Sequence, residues 1–158
     1  MRRKDREVTD VAEILDIIDR CEYCRLALSE DDEPYVFPIN FGYKHEDGVL
    51  TLYFHSAREG RKLDIIRKNP LACVEMDCSY KVVVNAEACD FSAEYESVIG
   101  SGKIEILTDE DERREGLLSI MHKVAPGESF NLPENKLRPT EVFKLTVSEF
   151  TGKRNIIG

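Results

Sequence analysis

The residues with the clearest potential for chemistry lie where a predicted strand passes into a predicted helix. The run is LYFHSAREGRKL (Leu52–Leu63), and it places three cations, Arg58, Arg61 and Lys62, within the first two turns of the helix. The helix macrodipole disfavours cations there, and the chain has a net charge of -9. A bound dianion would explain the pattern, because free N–H groups, guanidinium and ammonium groups together bind phosphate.

The same run also has an interpretation that needs no ligand. Ser56 and Glu59 have the spacing of a capping box, in which Ser56 caps the helix and Glu59 pairs with it. Arg61 and Lys62 would then form a solvated helix face beside Asp64. The spacing alone leaves the phosphate site and the solvated face open, and Glu59 would repel an anion.

Histidine and serine offer weaker signals. His55 stands at the end of a strand, where an imidazole can hydrogen-bond a ligand or donate a proton, although a lone histidine there can equally be structural. His45, in a hairpin loop, and His122, on a helix face, are expected to be exposed and inert. Nucleophilic catalysis finds little support, because the sequence has neither a Gly-x-Ser-x-Gly elbow nor a Walker phosphate loop.

Five cysteines raise the question of a metal or redox centre. Only Cys21 and Cys24 lie close together, and no second Cys pair or His pair completes a zinc site. They also lie where a helix runs into a strand, unlike a thioredoxin-like pair. We therefore expect buried or half-buried free thiols in a reducing cytoplasm. The acidic runs Glu30–Glu33 and Asp109–Glu112 are interpreted as a solvated turn and a helix N-terminus, and no metal site is predicted.

The elements that must position these residues are mostly strands. Asp10 and Glu13 predict a capped first helix, Pro38 predicts an edge or bulged strand, and Asp47-Gly48 predicts a hairpin. Gly100 and Gly102 predict a bend. Together the patterns favour an antiparallel barrel decorated by helices. Helices are predicted over residues 10–21, 56–68 and 108–123, strands over 24–29, 35–41, 49–54, 71–77, 81–84, 94–107 and 141–150, and a loop over 125–139.

Length and composition set the outer limits. The 158 residues are 42% hydrophobic and 34% charged, which fits one globular domain spanning residues 1–158. Apolar runs fall short of the roughly 18 residues of a membrane span, and the segment after Met1 lacks the apolar stretch of a secretory signal. The negative charge argues against nucleic acid. We expect a cytoplasmic protein whose partner is a small molecule or another protein.

Three motifs, in this order, resemble one known family. They are PINFGY (Pro38–Tyr43), YFHSAREGRK (Tyr53–Lys62) and YESVIGSG (Tyr95–Gly102). The chain resembles the 5-nitroimidazole-resistance (Nim-type) nitroreductases of the pyridoxamine 5'-phosphate oxidase-like flavin-binding superfamily over nearly its whole length. The resemblance implies a mostly β fold, an antiparallel split β-barrel with flanking helices, and a homodimer with FMN in a groove at the interface.

The resemblance also implies roles for residues. Arg61 and Lys62 match the pair that binds the phosphate, and His55 and Ser56 match polar contacts at a strand end. The segment along the isoalloxazine ring is matched by Pro38, Ile39, Asn40 and Phe41, and an apolar side chain such as Phe41 would pack on the ring. The later strand that reaches the cofactor is matched by Ser97 and Val98.

The implied activity is an FMN-dependent oxidoreductase that reduces small acceptors, nitroaromatic compounds among them, with His55 orienting or protonating the acceptor. The electron donor is unidentified, because the sequence has no nicotinamide-binding fingerprint. Vitamin B6 oxidation is not expected, since the basic C-terminal segment of the oxidases proper is missing. Two alternatives stay open: a flavin- or haem-binding carrier or sensor of the same barrel, and a dimeric interaction domain without a cofactor.

Overall fold

The computed structural model describes residues 3–157, which fold into one antiparallel sheet with flanking helices. Met1, Arg2 and Gly158 lie outside the described residues, and with them the start of the segment on which the secretory-signal argument rests. The strands are β1 (Glu7–Val8), β2 (Cys24–Glu30), β3 (Glu33–Ile39), β4 (Gly42–Glu46), β5 (Val49–Ala57), β6 (Leu71–Val83), β7 (Ser92–Ile106) and β8 (Thr140–Asn155), and the α-helices are α1 (Val11–Arg20), α2 (Arg61–Lys68), α3 (Glu110–Val124) and α4 (Glu134–Leu137).

The strand order explains the barrel. Seven strands follow one another as β3-β2-β6-β7-β8-β5-β4, and β1 pairs with the far end of β8. The edge strands β3 and β4 are separated in sequence only by Asn40 and Phe41, so the two edges meet at one end without pairing. The predicted antiparallel split β-barrel is therefore confirmed.

Two turn and edge predictions are confirmed as well. Pro38 lies opposite Arg25 in β3, an edge strand that within residues 3–157 pairs only with β2. The missing N–H of Pro38 therefore interrupts no hydrogen bonds to a second strand. Asp47 and Gly48 join β4 to β5 with φ angles of 52° and 79°. Positive φ at both central residues is what a type I′ hairpin turn requires.

The strands β6 and β7 are longer than predicted. The two runs predicted at 71–77 and 81–84 are one strand that continues through an irregularity between Cys78 and Lys81. The bend predicted at the glycine pair is confirmed, because the register of β7 against β8 shifts between Ser101 and Gly102. A Cβ atom at Gly102 would lie 2.0 Å from the carbonyl oxygen of Thr146, so the two strands approach too closely there for any other residue.

The helix predicted over residues 56–68 begins only at Arg61. Ser56 and Ala57 instead continue β5 along β8, and Gly60 is the N-cap residue of α2. The capping-box interpretation is therefore wrong: Ser56 Oγ donates to the carbonyl oxygen of Ala57, and no side chain caps this helix. Strand pairing with β8 outweighs the local helix signal.

The helices are anchored by two clusters of buried side chains. The larger cluster fills the barrel and includes the apolar faces of α1 and α2, and the smaller one lies beneath α3. Burial of these side chains, at about 25 cal/mol per Å², fixes α2 against the sheet and thereby fixes the position of its first turn. The helical residues buried in the larger cluster are Ile14, Ile17, Ile18, Leu63, Ile65 and Ile66.

Candidate functional site

The cations that begin α2 rest on the aromatic side chains of the edge strand β3. The guanidinium carbon of Arg61 lies 4.9 Å from the ring centroid of Tyr35, and Lys62 Nζ lies 5.0 Å from that of Phe37. Cation–π attraction holds both charges at the end of the helix where the macrodipole disfavours them. Arg61 and Lys62 therefore lie at the helix start as predicted, whereas Arg58, the third cation predicted there, precedes the helix.

The start of α2 is open. Gly60 has a φ of 138°, a conformation that favours glycine, and a Cβ atom at this position would meet nothing within 4 Å. With no side-chain cap on the helix, an incoming group can reach the first-turn N–H groups beside two cations. This donor set suits a phosphate group.

Two carboxylates from the turn between β2 and β3 approach the guanidinium group of Arg61. Glu30 Oε2 lies 3.9 Å from Arg61 Nε, and Glu33 Oε2 lies 3.8 Å from Arg61 Nη2. Glu30 is held more closely by Lys68, at 2.5 Å from Nζ to Oε1. Arg61 therefore sits in loose ion pairs rather than in one tight salt bridge.

His55 and Ser56 lie on β5, just before this helix. His55 is exposed, opposite Val142 of β8. Desolvation by surrounding side chains, and then the positive charge of Lys62, lower the pKa of His55 below its ordinary value. Its imidazole is therefore uncharged near neutral pH and can both donate and accept a hydrogen bond. Along the chain, His55 precedes the cation pair by six and seven residues.

The segment Pro38–Phe41 ends β3 and leads into β4. Pro38 and Asn40 are exposed and Ile39 is half-buried. Phe41 is only 1% exposed and packs in the barrel core, with Lys123 Nζ 4.7 Å from its ring centroid. Its side chain therefore does not line an exposed groove, and the expectation that it packs on a ring is not supported by this chain.

Ser97 and Val98 lie in another part of the sheet. Ser97 is half-buried, and Val98 is buried in the core at 1% exposure. Ser97 pairs with Lys153 of β8, whereas His55 pairs with Val142, eleven residues earlier on the same strand. At about 3.3 Å per residue, the separation along that strand is about 36 Å. Within one chain, the fold does not bring Ser97 to the cations of α2.

Tyr35, Phe37 and the two glutamates are the residues of this region that the sequence arguments missed. The aromatic pair did have a signal, since Tyr35, Phe37 and Ile39 alternate along β3 and therefore share one face. The ring centroids of Tyr35 and Phe37 are 5.3 Å apart. That the face is covered by the cations of α2 is a long-range fact that no local pattern indicates.

The cysteines form no exposed reactive pair. Cys21 and Cys24 are both buried, and all five cysteines are free. Burial raises the pKa of Cys24 to about 12 and also raises that of Cys21. These values favour the unreactive thiol form.

The remaining histidines lie apart from this region. His122 is exposed, with its ring 5.3 Å from that of Phe130, and His45 is half-buried on β4 rather than exposed. Residues 3–157 contain no cluster of three metal-ligating side chains. No helix in the described part of the chain has the length and apolar character needed to cross a membrane.

Comparison with solved structures finds several with the same fold. A candidate 5-nitroimidazole antibiotic resistance protein from Bacteroides thetaiotaomicron superposes with a TM-score of 0.80 at 32% identity, covering 94% of this chain and 86% of its own. A flavocytochrome from Azotobacter vinelandii gives a TM-score of 0.81 at 21% identity, covering 99% and 72%. An FAD- and haem-binding protein from Mycobacterium smegmatis gives 0.81 at 23%, covering 95% and 73%.

The sequence itself gives the family. No curated protein matches the chain. The family model described as pyridoxamine 5'-phosphate oxidase matches residues 10–154, which is most of the chain. That match and the structural relative at 32% identity agree with the resemblance drawn from the three motifs. The chain therefore belongs to the pyridoxamine 5'-phosphate oxidase family.

Proposed function

We propose that this protein binds FMN, with the phosphate held by Arg61, Lys62 and the first-turn N–H groups of α2. The observation behind the proposal is the pair of cations fixed on the aromatic rings of β3 beside the open glycine N-cap. Family membership and solved relatives described as FAD-binding support a flavin as the cofactor. FMN fits these residues because its phosphate is terminal and doubly charged.

The proposed activity is reduction of small acceptors, nitroaromatic compounds among them. The relative at 32% identity, described as a candidate 5-nitroimidazole resistance protein, supports this substrate class. A bound flavin supplies the redox chemistry, while the protein binds and orients it. Arg61 and Lys62 would hold the phosphate, Ser56 would make a polar contact at the strand end, and the segment Pro38–Asn40 would lie along the ring. A separate electron donor is required.

His55 is the proposed catalytic residue. Its imidazole lies near the end of β5 and can orient an acceptor by a hydrogen bond in its uncharged form, or pass a proton to the acceptor after taking one up from solvent. Replacing His55 with Ala should lower turnover while flavin is retained. Unchanged turnover with retained flavin would remove the catalytic role and leave His55 as a binding contact.

We further propose that the cofactor lies between two copies of the chain. Ser97, far from Arg61 within one chain, would reach the flavin of the partner subunit, and Val98, whose side chain is buried in its own core, would contribute only through its backbone. Exposed apolar side chains on the long β6–β7 hairpin and on the outer face of the sheet support such an interface. They include Leu71, Tyr80, Val82, Val84, Phe91 and Ile99. A cavity of about 890 Å³ lies on this outer face, lined in part by Ala27, Cys73 and Ser101.

The rest of the proposal concerns the setting. Residues 1–158 are proposed to act as one flavin-binding domain, in the cytoplasm, with no nucleic acid and no membrane as partner. The acidic net charge of -9 is consistent with a small-molecule partner rather than nucleic acid.

A spectral titration tests the proposal. Protein stripped of ligand should bind FMN, and the flavin absorption spectrum should shift on binding. When the bound flavin is reduced under anaerobic conditions, a nitroaromatic acceptor should reoxidise it. Reduced complex that no acceptor reoxidises would favour the carrier or sensor alternative. A Soret band would favour haem, and a protein that binds neither would be an interaction domain without a cofactor.

A further inference from the structure

The acidic turn between β2 and β3 faces the cation on which the proposed phosphate site depends. The turn consists of Glu30, Asp31, Asp32 and Glu33, and only the two glutamates form ion pairs with Arg61. Both pairs are long, at 3.9 and 3.8 Å, and the Glu33 side chain is 80% exposed. These carboxylates are therefore close enough to compete for Arg61 and loose enough to be displaced.

We propose that Glu30 and Glu33 are resident counter-ions of Arg61 that an incoming phosphate must displace, so that the turn sets the affinity for FMN. This inference rests on the proposed function. It assigns to the turn a role in selecting the ligand, because only a group with more negative charge than a single carboxylate gains from exchanging places with one. Riboflavin, which has the same ring but no phosphate, has nothing to exchange.

The two glutamates differ in how firmly they are held. Glu30 is fixed by Lys68 at 2.5 Å, so its carboxylate keeps a partner when Arg61 turns to a phosphate. Glu33 has only Arg61 among its ion-pair partners in residues 3–157. Tyr35 meanwhile holds the guanidinium in place from the other side, with its ring centroid 4.9 Å from Cζ. Arg61 can therefore change its anionic partner without leaving β3.

Glu33→Gln is the cleanest variant, because it removes the charge but keeps the size of the side chain. Exposed ion pairs are weak, so we expect FMN to bind about two- to five-fold more tightly to Glu33→Gln than to the wild type. Riboflavin affinity should not change. Asp32→Asn is the matched control, since it removes the same charge from the same turn at a residue outside the Arg61 ion pairs.

Quenching of flavin fluorescence gives both dissociation constants directly. The gain from Glu33→Gln should disappear in an Arg61→Ala background, because the glutamate acts through that cation. Equal gains from Glu33→Gln and Asp32→Asn would show a general charge effect and overturn the inference, as would a gain for riboflavin.

The two proposals fail in different ways. If wild-type protein binds FMN and Glu33→Gln leaves its affinity unchanged, the counter-ion role is wrong while the proposed function stands. If wild-type protein binds no FMN at all, the proposed function falls and the counter-ion role falls with it.

Discussion

Glu96 shows how a residue within one of the three family motifs can serve the fold. This carboxylate is only 6% exposed, between β7 and α1. It accepts hydrogen bonds from Arg20, from Arg154 at 2.6 Å and from Ser79 at 3.0 Å. The hydrogen bond from Arg20, with those from Arg154 and Ser79, lowers the pKa of Glu96 to about 2 despite its burial. Glu96 therefore joins β7 to α1 and β8 through ion pairs and to β6 through the Ser79 hydroxyl.

We predict that Glu96→Gln destabilises the protein. The native pKa of about 2, against an ordinary value of 4.5, corresponds to about 3 kcal/mol at pH 7. Because the native pKa is lowered, this stabilisation is full above the unfolded pKa and is lost as pH falls from about 4.5 towards 2. The wild-type free energy of unfolding should approach that of the variant over this range, as urea denaturation at several pH values can show.

Glu22→Gln, at an exposed glutamate, is the control for this prediction and should change stability little. A Glu96→Gln protein as stable at pH 7 as Glu22→Gln would contradict the structural role.

The position of Arg61 and Lys62 at a helix start could be predicted because the reason is local, while their binding of a phosphate stays a prediction. Arg61 and Lys62 stood out because cations at a helix start oppose the macrodipole, and that reasoning needs only neighbouring residues. Tyr35, whose ring stabilises the Arg61 charge, and Glu33, which approaches that charge, lie on β3, far from α2 in sequence. Their contacts with Arg61 arise only when the sheet curls and α2 packs across its end.

At the scale of elements, the close approach of β7 and β8 is the most demanding feature. We predict that Gly102→Ala costs about 3 kcal/mol or more, because its Cβ would lie 2.0 Å from the backbone oxygen of Thr146, which cannot move without breaking the bulge. Gly100→Ala should cost about 1 kcal/mol, since its nearest neighbour is a side-chain atom of Val147 at 3.0 Å. Denaturant unfolding followed by circular dichroism compares them, and equal costs would contradict the geometry.

Element boundaries show which physical effect prevails. The first helix begins as predicted, because Asp10 Oδ1 accepts a hydrogen bond from the amide of Ala12 at 2.7 Å. The start of α2 was placed too early, because Ser56 carries a local helix signal while β8 offers it a strand partner. Local capping is readable in the sequence. The competition with a strand more than eighty residues away is not.

At the scale of the whole molecule, the distribution of the proposed contacts predicts a shared site. If Ser97 serves the flavin of the partner subunit, an Arg61→Ala/Lys62→Ala chain and a Ser97→Glu chain should each bind FMN poorly alone. Unfolded and refolded together in equal amounts, they should regain about one quarter of the sites, because half of the dimers are mixed and each mixed dimer has one intact site. Titration of the mixture measures this, and no regain would contradict a shared site.

The central claim is that the two cations at the start of α2 bind the phosphate of FMN. Paired fluorescence titrations with FMN and riboflavin test it on wild-type protein, on Arg61→Ala/Lys62→Ala, and on Arg67→Ala, which removes a cation from the last turn of the same helix. We predict that the double variant binds FMN at least tens-fold more weakly than the wild type. Its riboflavin affinity should not change, and Arg67→Ala should bind FMN as the wild type does. Wild-type FMN affinity in the double variant would contradict the claim.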